Sequence, residues 1–203
     1  MHKKIFHSLS LFDVRTASDP YAAFFHRLPV LKTRDLILRP FALRDAEDLF
    51  ACVSDASVAR FVLWSPHTSL SDTRSYLREM RRLYREGLPS SWAIVHAASG
   101  KVIGSIGVMW LSAENRSAEV GYSMARAYWN RGLMTQALSA VLDSLFHTLR
   151  LHRVEGQCDV RNPASGRVME KCGMKLEGVL HGRIFNKGEF IDTALYARIQ
   201  HNN

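Results

Sequence analysis

The stretch EVGYSMARAYWNRGLMTQALSAVLDSLF, residues 119–146, decides the fold, because the hydrophobic period changes inside it. Ala118, Val120, Tyr122 and Met124 alternate with Glu119, Gly121 and Ser123, the period of two expected of a strand with one packed face. From Thr135 the rhythm becomes helical, with Ala137, Leu138, Val141, Leu142, Leu145 and Phe146 on one face. Between them lies Trp129-Asn130-Arg131-Gly132-Leu133-Met134, a polar turn centred on a glycine. Such a turn presents unpaired backbone N–H groups at the positive end of the helix, where phosphate groups bind well.

The loop has neither Gly-x-Gly-x-x-Gly nor Gly-x-x-x-x-Gly-Lys-Ser/Thr spacing, so neither a dinucleotide nor ATP is expected. On these residues the chain resembles the GNAT N-acetyltransferase superfamily, whose pyrophosphate loop reads Gln/Arg-x-x-Gly-x-Gly/Ala. Gly132 fits the first glycine, while Trp129 replaces the leading Gln/Arg and Met134 the final small residue. The run Trp129 to Ala137 instead looks like the RimJ/RimL branch, where aromatic-x-x-Gly-x-Met-Thr-x-Ala is common. The resemblance covers Leu31 to Ile199. It implies an α/β (α+β) GNAT fold, a mixed, mostly antiparallel six- to seven-stranded sheet flanked by about four helices. It also implies acetyl-CoA as co-substrate and an amine as acceptor.

Working outward, Leu36 to Pro40 reads as a first strand and Asp45 to Val53 as a short helix with acidic residues in its first turn. Ser69 with Asp72 three residues on forms a capping-box pattern, and Tyr76, Leu77, Met80, Leu83 and Tyr84 continue a helix to Gly87. Its arginines, Arg74, Arg78, Arg81, Arg82 and Arg85, read first as a solvated face. Trp92 to His96 and Val102 to Trp110 form a hairpin across Ala98 to Lys101. Val154 to Val160 alternate as a strand, and Asn162-Pro163 starts a helix that Gly173 closes. A last hairpin turns at Asn186 to Gly188. Residues 1–30 show no sustained period, although Tyr21, Ala22, Phe24, Phe25 and Leu28 could form one short amphipathic turn. They are read as an N-terminal extension outside the core, a partly disordered tail first and a functional arm second, leaving 31–203 as the acetyltransferase domain.

Composition agrees with one globular domain: 203 residues, 47% hydrophobic, and no apolar run near the about 20 residues needed to span a bilayer. The basic start at Lys3 and Lys4 is followed by no cleavage pattern, so a cytoplasmic protein is expected. Cys52, Cys158 and Cys172 lack metal or redox-pair spacing and read as reduced thiols, and the histidines show no metal spacing, so no metal is expected. Of the net charge of +8, half falls in residues 1–34. No helix-turn-helix and no basic-aromatic interleaving is present, so nucleic acid is not the expected partner.

The resemblance then supplies roles. The pyrophosphate would sit on the N–H groups of Arg131, Gly132, Leu133, Met134 and Thr135, beside Asn130, with the Arg131 side chain adding charge. The pantetheine arm is peptide-like and would pair with the strand edge at Met124 and Ala125. In the family a bulge splays two neighbouring strands here, and a backbone N–H near Met124 would face the thioester oxygen. Glu119 is the candidate base, acting through water, with a purely positioning carboxylate as the other reading. Met169 stands where many members have a thiolate-protonating tyrosine, so Ser165 is the substitute, with Asn162 on the pantetheine arm or the thiolate. Asn162 and Ser165 could equally serve as helix caps alone. An α-amine costs about 3.5 kcal/mol less to deprotonate than a lysine at neutral pH, which suits N-terminal acceptors.

The expected activity is transfer of the acetyl group of acetyl-CoA to a protein N-terminal α-amine of ribosomal-protein type. The cationic surface favours an acidic protein, such as a ribosomal one, or an anionic small molecule over a polyamine, which like charge would oppose. Acetylation of a small-molecule amine, a non-catalytic acyl-CoA sensor and a ribosome-binding module are the alternatives. GNAT proteins often pair through their strands, so a homodimer is also open.

Overall fold

A computed structural model describes residues 21–200 of the chain. The elements run α1 (Ala22–His26), β1 (Leu31–Lys32), β2 (Leu36–Pro40), α2 (Ala46–Val53), α3 (Ala56–Ala59), α4 (Leu70–Glu86), β3 (Ser91–His96), β4 (Val102–Ser112) and β5 (Ser117–Met124). They continue with α5 (Leu133–His147), β6 (Arg153–Asp159), α6 (Pro163–Lys171), β7 (Lys175–Asn186) and β8 (Glu189–Ile199), with 3-10 turns at Leu43–Asp45 and Arg126–Tyr128. One sheet holds all eight strands in the order β1-β2-β3-β4-β5-β6-β8-β7. Every neighbouring pair is antiparallel except β5 and β6, whose parallel pairing requires the crossover that α5 provides.

Local chemistry sets the helix ends. Ser69 Oγ accepts from the Asp72 N–H at 3.3 Å while Asp72 Oδ2 accepts from the Ser69 N–H at 2.9 Å, and Gly87 ends α4 at φ 65°. Asn162 caps α6 with Pro163 in its first turn. The sheet is then packed on two faces. On one, Leu36, Leu38, Trp92, Ile94, Ile106, Ala118, Val120 and Val154 meet Leu138, Val141, Leu142 and Leu145 of α5. On the other, Ala93, Val95 and Val102 meet Leu49 and Val53 of α2 and Leu77 and Met80 of α4. Strand β3 is therefore apolar on both sides, and its sequence runs Trp92-Ala93-Ile94-Val95 without alternation.

Among the described residues the sheet has eight strands against the expected six to seven, and there are six α-helices against about four. The additions are β1, two residues long, and the short α1 and α3, none long enough to show a period. The placement of residues 1–30 outside the core also changes for the part described. Tyr21, Phe24, Phe25 and Leu28 are buried, Phe24 meets Trp92 edge-on at 6.1 Å between ring centroids, and Trp92 Nε1 donates to the Pro29 carbonyl at 2.8 Å. Burial of those aromatic rings is the physical reason the segment joins the folded body. The expectation for residues 1–20 lies outside the described residues.

Two features of the β7–β8 hairpin bear on the site. Leu180 pairs with Thr193 and Ile184 with Ile191, so His181, Gly182 and Arg183 oppose Asp192 alone. Asp192 fixes this bulge, accepting from the Gly182 N–H at 2.7 Å and meeting His181 Nδ1 at 2.8 Å, with Gly182 at φ 55°. At the hairpin tip, Asn186 Nδ2 donates to the Val62 carbonyl at 3.3 Å, and Lys187 Nζ donates to the carbonyls of Val62 (2.9 Å) and Ala59. The tip is thus tied to the segment after α3.

Candidate active site

The site begins where two strands part. Strands β5 and β6 pair only at Ser117↔Arg153, Ala118↔Val154 and Glu119↔Glu155, although β5 runs on to Met124 and β6 to Asp159. On its other edge β5 stays paired with β4 as far as Gly104↔Met124. The Ala125 N–H donates to the Ile103 carbonyl at 2.8 Å. In an antiparallel ladder bonded residues alternate, so the backbone groups of Tyr122 and Met124 point the other way, into the opening. The bulge expected beside the opening lies one ladder over. The register of β4 against β5 slips between Val108 and Trp110, placing an extra residue, Met109, level with the point where β5 and β6 separate.

Alternation on β5 sends Glu119 and Tyr122 to opposite faces. Glu119 Oε2 accepts from Trp110 Nε1 at 2.8 Å and from Gln157 Nε2 at 3.0 Å, and Gln157 Oε1 in turn accepts from Thr193 Oγ1 at 3.2 Å. Burial raises the Glu119 pKa, the two donors and the charge of Arg183 oppose that shift, and Glu155 adds to it. The result is a carboxylate held in one orientation with its proton affinity above the ordinary range. On the other face the Tyr122 hydroxyl donates to the Ser165 carbonyl at 3.0 Å and lies 3.0 Å from Ser165 Oγ. Burial keeps the Tyr122 phenol protonated well past neutrality. Beside them Met169 is buried with its sulfur against Gly156, where a Cβ would approach to 2.7 Å.

The loop below the opening is shaped by two left-handed residues, Asn130 at φ 59° and Gly132 at φ 73°. Gly132 is the N-cap of α5 and offers no side chain to the first turn. The first intrahelical bond is Gln136 N–H to the Gly132 carbonyl at 3.1 Å, which leaves the N–H groups of Leu133, Met134 and Thr135 for a ligand. Nothing lies within 4 Å of a Cβ built on Gly132, so the approach is open. The Leu133 and Met134 side chains are buried and anchor the turn, and the exposed Arg131 guanidinium stacks over Tyr128 at 5.5 Å.

The residues singled out from sequence therefore fall into three places around one opening. Glu119 stands on one face, Ser165 and Asn162 stand at the start of α6 on the other, and Asn130, Arg131, Gly132, Leu133, Met134 and Thr135 form the loop, with Met124 on the free edge between. Ala125 is the exception. Its N–H serves Ile103 and its carbonyl accepts from Tyr128 at 2.9 Å, so both its backbone groups are spent and the edge passes to Tyr122 and Met124. Asn162 uses Oδ1 to cap Ser165 N–H at 3.4 Å. Sequence reading missed Tyr122, Trp110 and Gln157. It also missed that Trp129 Nε1 holds the Met124 carbonyl at 2.6 Å. Only Trp129 carried a signal, as the aromatic that replaces Gln/Arg in the loop. Among the described residues no cluster of three or more His, Cys, Asp or Glu side chains could hold a metal, and no helix is long and apolar enough to cross a membrane.

Comparison with known proteins agrees with this geometry. A family model described as an acetyltransferase (GNAT) domain matches residues 35–175. The uncharacterized N-acetyltransferase YoaA of Bacillus subtilis is 32% identical over 172 residues, 85% of this chain and 97% of its own. The ribosomal-protein-serine acetyltransferase of Escherichia coli is 30% identical over 131 residues, 64% of this chain and 72% of its own. Among solved structures, the fold of RimL, a ribosomal L7/L12 α-N-protein acetyltransferase in complex with coenzyme A, matches with a TM-score of 0.76 at 22% identity, covering 84% of this chain and 98% of that one. A splayed parallel strand pair above a glycine-centred helix start, matched over most of its length by these relatives, places the chain in the GNAT acetyltransferase family, as an acyltransferase with RimJ/RimL-like relatives.

Proposed function

We propose that the protein transfers the acetyl group of acetyl-CoA to a protein N-terminal α-amine, by direct attack of the neutral amine on the bound thioester. The observation that carries this reading is the opening between β5 and β6, with a fixed carboxylate on one face and a paired hydroxyl couple on the other. The N–H groups of Leu133 to Thr135, with Arg131, hold the pyrophosphate. The free edge at Tyr122 and Met124 receives the pantetheine amides as a substitute strand, and the Met124 N–H faces the thioester oxygen.

Attack by the amine nitrogen forms the C–N bond and puts negative charge on the carbonyl oxygen, where the backbone donor stabilises it. As the C–S bond breaks, the leaving thiolate takes a proton from the Ser165–Tyr122 couple. Before the attack, Glu119 takes a proton from the acceptor ammonium through water, leaving the neutral amine. The proton that the nitrogen sheds after the C–N bond forms replaces the one the couple gave up. A base whose pKa is raised by burial, with the Glu155 charge adding to it, still suits an α-amine, with a pKa of about 8, better than a lysine at about 10.4. The E. coli relative's name supports a ribosomal-protein type of acceptor, and three free thiols fit a reducing, cytoplasmic setting.

The test is mass spectrometry of N-terminal peptides, polyamines and amino acids incubated with the protein and acetyl-CoA, with free-thiol release followed in parallel. Acetylation of peptide α-amines with matching CoA release is the expected result. Acetylation confined to small amines would overturn the protein acceptor, and CoA binding without release would overturn catalysis.

A further inference from the structure

Of the charged groups near the opening, one is placed by a structural device and used by nothing else. The bulge of β7 sets three residues, His181 to Arg183, against the single residue Asp192. Asp192 spends both carboxylate oxygens on holding that bulge, one on the Gly182 N–H and one on His181. The left-handed Gly182 lets the chain turn back on itself, and Arg183 follows immediately. Leu180 and Ile184, on either side of the bulge, pair with Thr193 and Ile191, and Thr193 is the residue bonded to Gln157 behind Glu119. The bulge therefore flanks the Glu119 network. Arg183 is exposed and has no carboxylate or hydrogen-bond partner among the described residues. The charge of Arg183 is felt at Glu119.

A cation held near the base would repel an ammonium and attract an anion. We propose that Arg183 is the anion-binding residue of the acceptor site, so that the preferred acceptor carries a carboxylate within the first residues after its reactive amine. This rests on the acceptor reading above and narrows it to acidic N-termini. A side-chain carboxylate at the second or third residue of an extended peptide lies about 7 Å or more from the amine, given about 3.5 Å per residue. The amine can then approach Glu119 while the acid meets the guanidinium, whose planar fork accepts a carboxylate in two hydrogen bonds.

The experiment compares two peptides of equal length, Ser-Glu-Glu-Ala-Ala-Tyr and Ser-Gln-Gln-Ala-Ala-Tyr, as acceptors for the wild type, Arg183→Gln and Arg183→Lys. A charge-assisted hydrogen bond to the guanidinium predicts about a tenfold higher kcat/KM for the acidic peptide, carried in KM. Arg183→Gln should bring the ratio to about one, and Arg183→Lys should keep part of it. A merely structural role would lower both peptides together and leave the ratio intact, which overturns the proposal, as does a wild type without preference. If small amines are acetylated and peptides are not, the protein-acceptor reading fails by itself. The same ratio is then read on glutamate α-amide against glutamine α-amide, which differ only in the side-chain carboxylate, and its absence there overturns the role of Arg183.

Discussion

The two halves of the sheet are built on different principles. Strands β2 to β4 lie between α5 on one face and α2 with α4 on the other, and the second apolar cluster ends at β4. From β5 onward one face still packs on α5 and α6, but the other carries Glu119, Gln157 and Thr193, which with Trp110 at the end of β4 satisfy one another by hydrogen bonds. The first half gains stability from area removed from water. The second half gives up part of that area, and β7 leaves Leu176, Val179 and Phe185 exposed. What it gains is reach, since strands that separate expose backbone donors to a ligand, and a half-covered face leaves room for an acceptor.

The comparison is broken most directly by a substitution in the buried face. Leu142 is fully buried on the face of the sheet that packs on α5, and Leu142→Ala should cost about 2–5 kcal/mol in urea unfolding, while the enzyme that remains folded keeps its turnover. A loss of turnover without loss of stability would show the halves to be coupled.

Glu119→Gln should do the reverse. As the proposed base, Glu119 would have to be ionised, and its folded pKa lies above the ordinary carboxylate value because burial penalises the charge. The acidic limb of kcat/KM should therefore sit higher than for an ordinary carboxylate and vanish in the variant, whose turnover falls by about a hundredfold with acetyl-CoA affinity retained. The stability sign is opposite. A carboxyl whose folded pKa is raised stabilises the fold when protonated, below the unfolded pKa, and loses that contribution as pH rises through the folded pKa. At neutral pH the variant should be at least as stable as the parent. Unchanged turnover would leave Glu119 a positioning group only.

The smallest effect is chemical. Burial pushes the Cys52 thiol up to about 12 and Cys172 up to about 11, whereas Cys158 is only partly buried and stands on β6 at the opening. A thiol reagent should label Cys158 first, slowly because its pKa is also raised, and acetyl-CoA should protect it. Labelling of Cys172 first, or no protection, would move the thioester away from β6.

Much of this was legible where the signal is local. The change of period at Thr135, the capping pair Ser69 and Asp72, and the Asn162-Pro163 start are each written within a few residues. The bonds that make the site are not local. Tyr122 reaches Ser165 across 43 positions, Gln157 reaches Glu119 across 38, and the register slip at Met109 depends on how β4 meets β5. The amphipathic turn of Tyr21 to Leu28 could be read locally, but its burial depended on Trp92, far along the chain.

The tie between the hairpin tip and the segment after α3 has a last consequence. With Lys187 and Asn186 fastened to the carbonyls of Ala59 and Val62, the β7–β8 hairpin is buttoned to a segment 124 to 128 positions earlier in the chain. Its two strands are therefore no free flap. Any shift of the tip has to carry the segment after α3 with it, so the bulge that presents Arg183 is held between two fixed ends.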